Sequence, residues 1–501
     1  MDLEKYASLD AVALAELVRQ GDTTPHELAK LAAEAAARVN PTLNAIIELY
    51  GDRITAPASP NPEQPFAGVP MLVKDLSVTQ KGRLHECGSQ LLKGSVSSQD
   101  SELFKRFRKA GFNIIGRTTT PEFGWSASTE CRLTGTTRNP WNVERSAGGS
   151  SGGSAAAIAA GVVPIAHGSD GSGSIRNPAS WCGLVGLKTT RGRISTAPHV
   201  GMPPGGRPVS FVMSRSVRDS AAVLDAVHGN IGGDPFKIAP PPRPYIEEVG
   251  RPLKPLRIAV SSDPWNGKSL SSSIRMAFDD TVQLLAELGH ELVEARPSLD
   301  WSPLVDAILD TVAAGIAYRV DAASNLMGRT PSRENLQHTT WATYQHGKSL
   351  SASRLLAAIE YLDQVSRTAG PFFTEFPILL TPTSIDVAPK HGTHNADRAD
   401  LSAREWSEII HSEDCFLLLA NVTGQPAISL PLHETGDGLP VGMQLMSGLG
   451  DEAILFRLAG QLEASLPWHN RRPRIHAAAA NVPKSNMEHP QKHDGTSSDR
   501  Q

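Results

Sequence analysis

The sequence predicts an α/β fold, and three features carry that expectation. Amphipathic helical stretches alternate with short apolar runs along the chain, the pattern that lays helices against a sheet. Hydrophobic residues make up 40% of the 501 residues and charged residues 20%, enough apolar material for a large buried core. Two clusters of glycine and serine, GGSSGGS at 148–154 and GSDGSGS at 168–174, interrupt the alternation. Such runs are too rich in glycine for a strand or helix interior, and they read as loops that bring backbone amides and hydroxyls to one place.

The elements follow in order. Residues 8–39 read as two helices, with Thr23, Thr24 and Pro25 as the cap and first turn of the second. A proline-rich stretch, 56–65, leads into GVPMLVKD at 68–75, a buried strand that ends in charges. Residues 101–111 form an amphipathic helix that feeds a strand over 112–117. Between the two clusters, 155–160 has high helix propensity and 162–166 is a short apolar strand. Residues 232–255, with three consecutive prolines at 240–242, read as an extended surface connection. Strands are expected at 256–260, 291–294, 378–381, 427–431 and 441–446, and helices at 273–288 and 451–464. Residues 301–370 read as mainly helical. The expected organisation is one domain over 1–475 with a helical insertion at about 300–375, and a disordered polar tail over 476–501.

Several function classes are disfavoured. A formal charge of −4 gives no basic excess for nucleic acid. No apolar run reaches the roughly 18–20 residues that span a bilayer, and the first residues lack the charged and apolar regions of a secretory signal. Cys87, Cys131, Cys182 and Cys415 are scattered without a CxxC pair, which fits reduced thiols and a cytoplasmic protein. His391 and His394 form an HxxH with no third ligand nearby, so no metal is expected. No GxxxxGK[ST] loop is present, and no cofactor is expected.

The serine clusters point to nucleophilic catalysis, which requires a base because a serine hydroxyl is protonated at neutral pH. Two residues can serve. His167 is the one histidine inside the region, and its structural alternative is a satisfied histidine at a strand end. Lys74 ends the apolar strand, where burial would lower its pKa; its structural alternative is a lysine reaching solvent. The run GGSSG also satisfies the G-x-S-x-G elbow of α/β-hydrolases, but the HGGG-type loop of that fold is absent.

The conjunction of GVPMLVKDL, RNPWNVERSAGGSSGGSAAAIAAG and GSDGSGSIRNPASWCGLVGLKTTRGRIS resembles the amidase signature family of serine hydrolases. GQPAISLP at 424–431 and GLPVGMQL at 438–445 extend the resemblance, which covers about residues 5–475. The stretch FGWSASTECRLTGTTRNPWN is most similar to the branch holding 6-aminohexanoate cyclic-dimer hydrolases and bacterial aryl and acyl amidases.

The resemblance implies a central mixed, twisted sheet covered by helices on both faces. It implies Ser174 as nucleophile, Ser150 as bridging serine after a cis Gly149–Ser150 bond, and Lys74 as base. The amides of Gly171, Ser172, Gly173 and Ser174 would form the oxyanion hole. The family usually carries two glycines before the nucleophile, whereas here the pair is Ser172 and Gly173. Ser151, Ser154, Ser169 and Ser172 are expected as structural hydroxyls, and Asp170 and Arg176 as buried supports of the loop. Trp125, Ser126, Trp181, Cys182 and Trp341 are expected at the substrate pocket. The implied activity is hydrolysis of a medium-sized, partly hydrophobic small-molecule amide, linear, aryl or cyclic. A carbamate or ester hydrolase with the same triad, and a glutaminase subunit of a tRNA-dependent amidotransferase, are the alternatives. The resemblance leaves room for a homodimer, with neither nucleic acid nor membrane as partner.

Overall fold

A computed structural model describes residues 1–57, 60–198 and 207–479. Eleven strands form one mixed sheet, and two short strands, β4 (Glu130–Cys131) and β5 (Gly135–Thr136), pair separately. One edge of the large sheet holds β1 (Ile46–Leu49), β3 (Asn113–Thr118), β2 (Pro70–Lys74) and β6 (Ile165–Asp170) in that order. Next come β8 (Val209–Ser214), β7 (Val185–Lys188), β12 (Ala427–Glu434) and β13 (Pro440–Ser447). The far edge is β11 (Ile378–Pro382), β9 (Arg257–Val260) and β10 (Glu291–Glu294). Strand β2 runs parallel to both β3 and β6, while β6, β8, β7, β12 and β13 are successively antiparallel. Helices flank the sheet, so the fold is α/β, as expected.

The local signals act as anticipated. Pro25–Leu43 is a helix whose Thr24 and Glu27 form a reciprocal cap at its start. Strand β2 is buried along its whole length, which its apolar run PMLV requires. Helices Trp301–Met327, His338–Ser349 and Ala352–Ala369 fill the expected helical segment. Leu309, Ala313, Ile316 and Val320 of the first pack with Trp406 and Phe123 into a core of their own, beside the sheet core.

Three expectations are corrected. The strand expected at 162–166 is β6, Ile165–Asp170, which runs through His167, Gly168 and Ser169 of the second cluster. It has hydrogen-bonded neighbours on both sides, β2 and β8, and that pairing outweighs the weak strand propensity of glycine and serine. The helix Arg176–Cys182 after the second cluster was not anticipated, because seven residues containing a proline give no periodic signal. Of the tail expected over 476–501, residues 476–479 are described and are ordered against the core. His476 and Ala477 are buried, and the Ala477 amide donates to the Ala160 carbonyl at 2.8 Å, because short apolar residues close this end of the core. Residues 480–501 lie outside the described residues.

Candidate active site

The parallel pairing of β2 with β6 sets the geometry, because it places the carboxyl ends of both strands at one edge of the sheet. Lys74 ends β2, and Asp170 ends β6 just before Gly171–Ser174. The helix Gly152–Ala159 begins beside them, so Ser150 and Ser151 lie at its N-terminus. The two serine clusters and the lysine thereby meet.

Lys74 is fully buried, and its ammonium donates to three hydroxyls: Ser150 Oγ at 2.7 Å, Ser151 Oγ at 3.0 Å and Ser169 Oγ at 3.0 Å. Burial lowers its pKa to about 7, against an opposing pull from the Asp170 carboxylate. Ser151 and Ser169 also join each other through the Ser169 amide, which donates to Ser151 Oγ at 3.3 Å. Sequence reasoning took these two serines as structural and missed their contact with the lysine. The period of two along β6, which places Ser169 on the same face as His167, carried no hint of which face meets Lys74.

The Gly149–Ser150 bond is cis. Gly149 is pressed against the backbone of residues 126–128, where a Cβ would come within 2.6 Å of the Ser128 nitrogen. The Ser150 carbonyl accepts from Thr120 Oγ1 at 3.0 Å, and the Gly149 amide donates to Asn177 Oδ1 at 3.2 Å. Asn177 in turn donates to Asp414 Oδ1 at 2.7 Å. Side chains from three separate segments thus hold this peptide.

The loop that carries Ser174 is anchored from below. Asp170 and Arg176, both fully buried, form a two-point ion pair at 2.9 and 3.0 Å. Burial alone would raise the Asp170 pKa, but the Arg176 guanidinium and an Asn421 hydrogen bond hold it well below the carboxylate range. Arg176 further donates to the Leu417 carbonyl, Gln444 and Asn421. Asp170 Oδ1 accepts from the Gly173 amide at 2.8 Å. That contact revises the expected oxyanion hole: the Gly173 amide is already committed, and Gly171, Ser172 and Ser174 are the remaining amides of the loop. Gly173 has φ of 125°, and a Cβ there would meet Leu417 at 2.4 Å, so glycine is required. The non-glycine at 172 is accommodated because, unlike Gly173, it does not take a positive φ, and its hydroxyl accepts from Arg207 Nη1 at 3.4 Å.

His167 is not brought to a serine. It is fully buried against the edge of Phe107, neither ring nitrogen has a hydrogen-bond partner among the described residues, and burial together with the nearby Lys74 charge keeps it neutral. Of its neighbours' hydroxyls, Ser154 donates to the His167 backbone carbonyl at 2.7 Å, a structural bond.

Ser150, Ser169 and Gly171–Ser174 open onto a cavity of about 640 Å3, within the usual range for small-molecule sites. Trp125 and Ser126 line it. Trp181 and Cys182 do not. They belong to the helix Arg176–Cys182, which packs on the sheet, and they are 1% and 0% exposed. Trp341 is not among the cavity-lining residues either, and its ring lies tilted against Tyr344 with centroids 5.6 Å apart. Its helix reaches the cavity indirectly, because Trp125 Nε1 donates to Thr343 Oγ1 at 3.0 Å. Val312, Arg319 and Leu326, which recur at helical spacing on Trp301–Met327, also line the cavity. Among the described residues, no group of three or more His, Cys, Asp or Glu is placed to hold a metal ion. Nor is any helix among them long and apolar enough to cross a membrane.

A family model described as Amidase matches residues 27–456. The chain belongs to the amidase signature family. Amidase signature relatives match it over nearly full length. It is 36% identical over 496 residues to a 6-aminohexanoate-cyclic-dimer hydrolase of Paenarthrobacter ureafaciens, covering 95% of this chain and 98% of that one. The solved structure of a 6-aminohexanoate cyclic dimer hydrolase complexed with substrate superposes with a TM-score of 0.85 at 34% identity, covering 94% of this chain and 99% of that one. A bacterial aryl acylamidase of the same family shares the fold, with a TM-score of 0.84 at 22% identity, over 95% of this chain and 99% of that one. This amidase is therefore an enzyme that hydrolyses carbon–nitrogen bonds other than peptide bonds.

Proposed function

We propose that the enzyme hydrolyses small-molecule amides through an acyl-enzyme on Ser174, with Ser150 as proton bridge and Lys74 as base. The observation that carries this reading is the 2.7 Å contact between buried Lys74 and Ser150 Oγ, beside the cavity that Ser150 and Ser174 both line. Neutral Lys74 takes the Ser150 proton while Ser150 Oγ takes the Ser174 proton, and Ser174 Oγ attacks the amide carbonyl. The negative oxygen so formed meets the amides of Gly171, Ser172 and Ser174. Return of the proton along the same path to the leaving nitrogen breaks the C–N bond and leaves the acyl group on Ser174. Water repeats the sequence, and the carboxylic acid departs.

The apolar side of the cavity, with Phe123, Trp125 and Val312, fits a medium-sized, partly hydrophobic acyl or amine group. The relatives' activity on a cyclic dimer supports aliphatic linear or cyclic amides over carbamates, esters or glutamine. The setting we propose is the cytoplasm, where four buried, unpaired thiols stay reduced.

The test is a hydrolysis screen of linear amides, anilides, cyclic amides, carbamates and glutamine, with wild type beside Ser174→Ala. Amide turnover that falls by at least about 10³-fold in the variant is expected. Turnover in Ser174→Ala near the wild-type rate would remove the nucleophile, and glutamine as the preferred substrate would favour the glutaminase alternative.

A further inference from the structure

Two cationic side chains on the cavity wall are left over by this reaction: Arg319, which is partly exposed and whose Nε donates to the Gly315 carbonyl at 3.3 Å, and Arg207, which is buried. Arg207, just before β8, is 3% exposed and lines the cavity. Its Nη2 donates to Thr311 Oγ1 at 3.1 Å and its Nη1 to Ser172 Oγ at 3.4 Å, both neutral hydroxyls. Its Nε is buried with no hydrogen-bond partner among the described residues. The neighbouring charge that acts on it is another cation, Arg191.

The contrast with other buried guanidiniums is sharp. Arg176 faces Asp170, Arg193 faces Glu452, and Arg117 contacts Asp75, Glu48 and Glu86. Among the described residues no carboxylate pairs with Arg207, and residues 199–206, which precede it in sequence, contain neither Asp nor Glu. Burial and Arg191 lower its pKa only to about 10, so it is a cation at neutral pH. A desolvated cation without a counter-charge is costly, and an anion that enters from the cavity supplies the missing partner in a two-point geometry suited to carboxylate.

We propose that Arg207 is a specificity residue that receives a carboxylate of the substrate, so that the preferred amides carry a free carboxylate a few methylenes from the scissile bond. The spacing follows from Ser172, which touches Arg207 and lies two residues from Ser174. The apolar wall formed by Phe123, Trp125 and Val312 takes the connecting methylenes. This inference rests on the amidase reading of the cavity.

The test compares glutaryl p-nitroanilide with valeryl p-nitroanilide, which are of similar length and differ in the terminal carboxylate. It also follows binding of glutarate alone by calorimetry. Wild type is expected to favour the glutaryl compound in kcat/KM by at least about 30-fold, the effect of one buried charge pair. Arg207→Gln should bring the ratio near one and abolish glutarate binding, and Arg207→Lys should restore part of both. A wild-type preference for the valeryl compound, or a ratio and glutarate affinity unchanged in Arg207→Gln, would overturn the assignment. Arg207-dependent glutarate binding by an enzyme that cleaves neither anilide nor any other amide would instead sink the amidase reading and leave the anion site standing.

Discussion

The floor and the wall of the cavity are built on different principles. The floor, from Lys74, Ser150, Ser169 and the loop after β6, is held by backbone pairing of two parallel strands and by a buried ion pair. The Lys74 ammonium, the Asp170 carboxylate and the Arg176 guanidinium there each have several hydrogen-bond partners. The wall, from Trp125 and the helix Trp301–Met327, is built on an apolar cluster, and ion pairs such as Asp310 with Arg354 and Asp321 with Lys348 tie its helix to its neighbours. A hydrogen-bonded floor tolerates little displacement, whereas a packed wall accepts side chains of similar volume. Changes to the floor should therefore cost rate on all substrates, and changes to the wall should reorder substrates.

The largest expected effect separates the two candidate bases within the floor. Lys74→Met should lower kcat by at least about 10³-fold on every amide, while His167→Asn should stay within about tenfold of wild type. The reverse order in steady-state rates would make histidine the base. Next comes the anchor below the loop. Arg176→Met leaves the Asp170 carboxylate buried and unpaired, so unfolding free energy should fall by about 3–5 kcal/mol in urea titration. A loss under about 1 kcal/mol would show that the ion pair is not what holds the floor. The smallest effect belongs to the wall. Trp125→Phe removes the bond to Thr343 and should raise KM for bulky amides a few-fold, with kcat within about threefold. Equal losses across small and bulky amides would place Trp125 with the floor instead.

The same division decides what could be read from the sequence. Lys74 was legible because a lysine closing an apolar run has to be buried or reach solvent, and the serine clusters decided between those outcomes. The alternation of strands and helices was legible too, since each apolar run had a matching periodicity. What failed was local. By position, the family resemblance puts Trp181 and Cys182 at the pocket, but the short helix that carries them packs on the sheet and both are buried away from the cavity. The committed Gly173 amide was invisible because it depends on where the Asp170 carboxylate points. Arg207 gave no signal, since an arginine is notable only once the absence of an acid around it is seen in space.

The central claim is that Lys74, acting through Ser150, activates Ser174. Its most direct measurement is the rate of labelling by a fluorophosphonate as a function of pH, with the adduct mapped by peptide mass. Because the pKa of Lys74 is lowered to about 7, the neutral form that accepts a proton grows tenfold per unit below that pH and saturates above it. The account predicts one adduct on Ser174, with a labelling rate that rises through about pH 7, levels off, and is nearly lost in Lys74→Met. An adduct on another residue, or Lys74→Met labelled as fast as wild type, would contradict it.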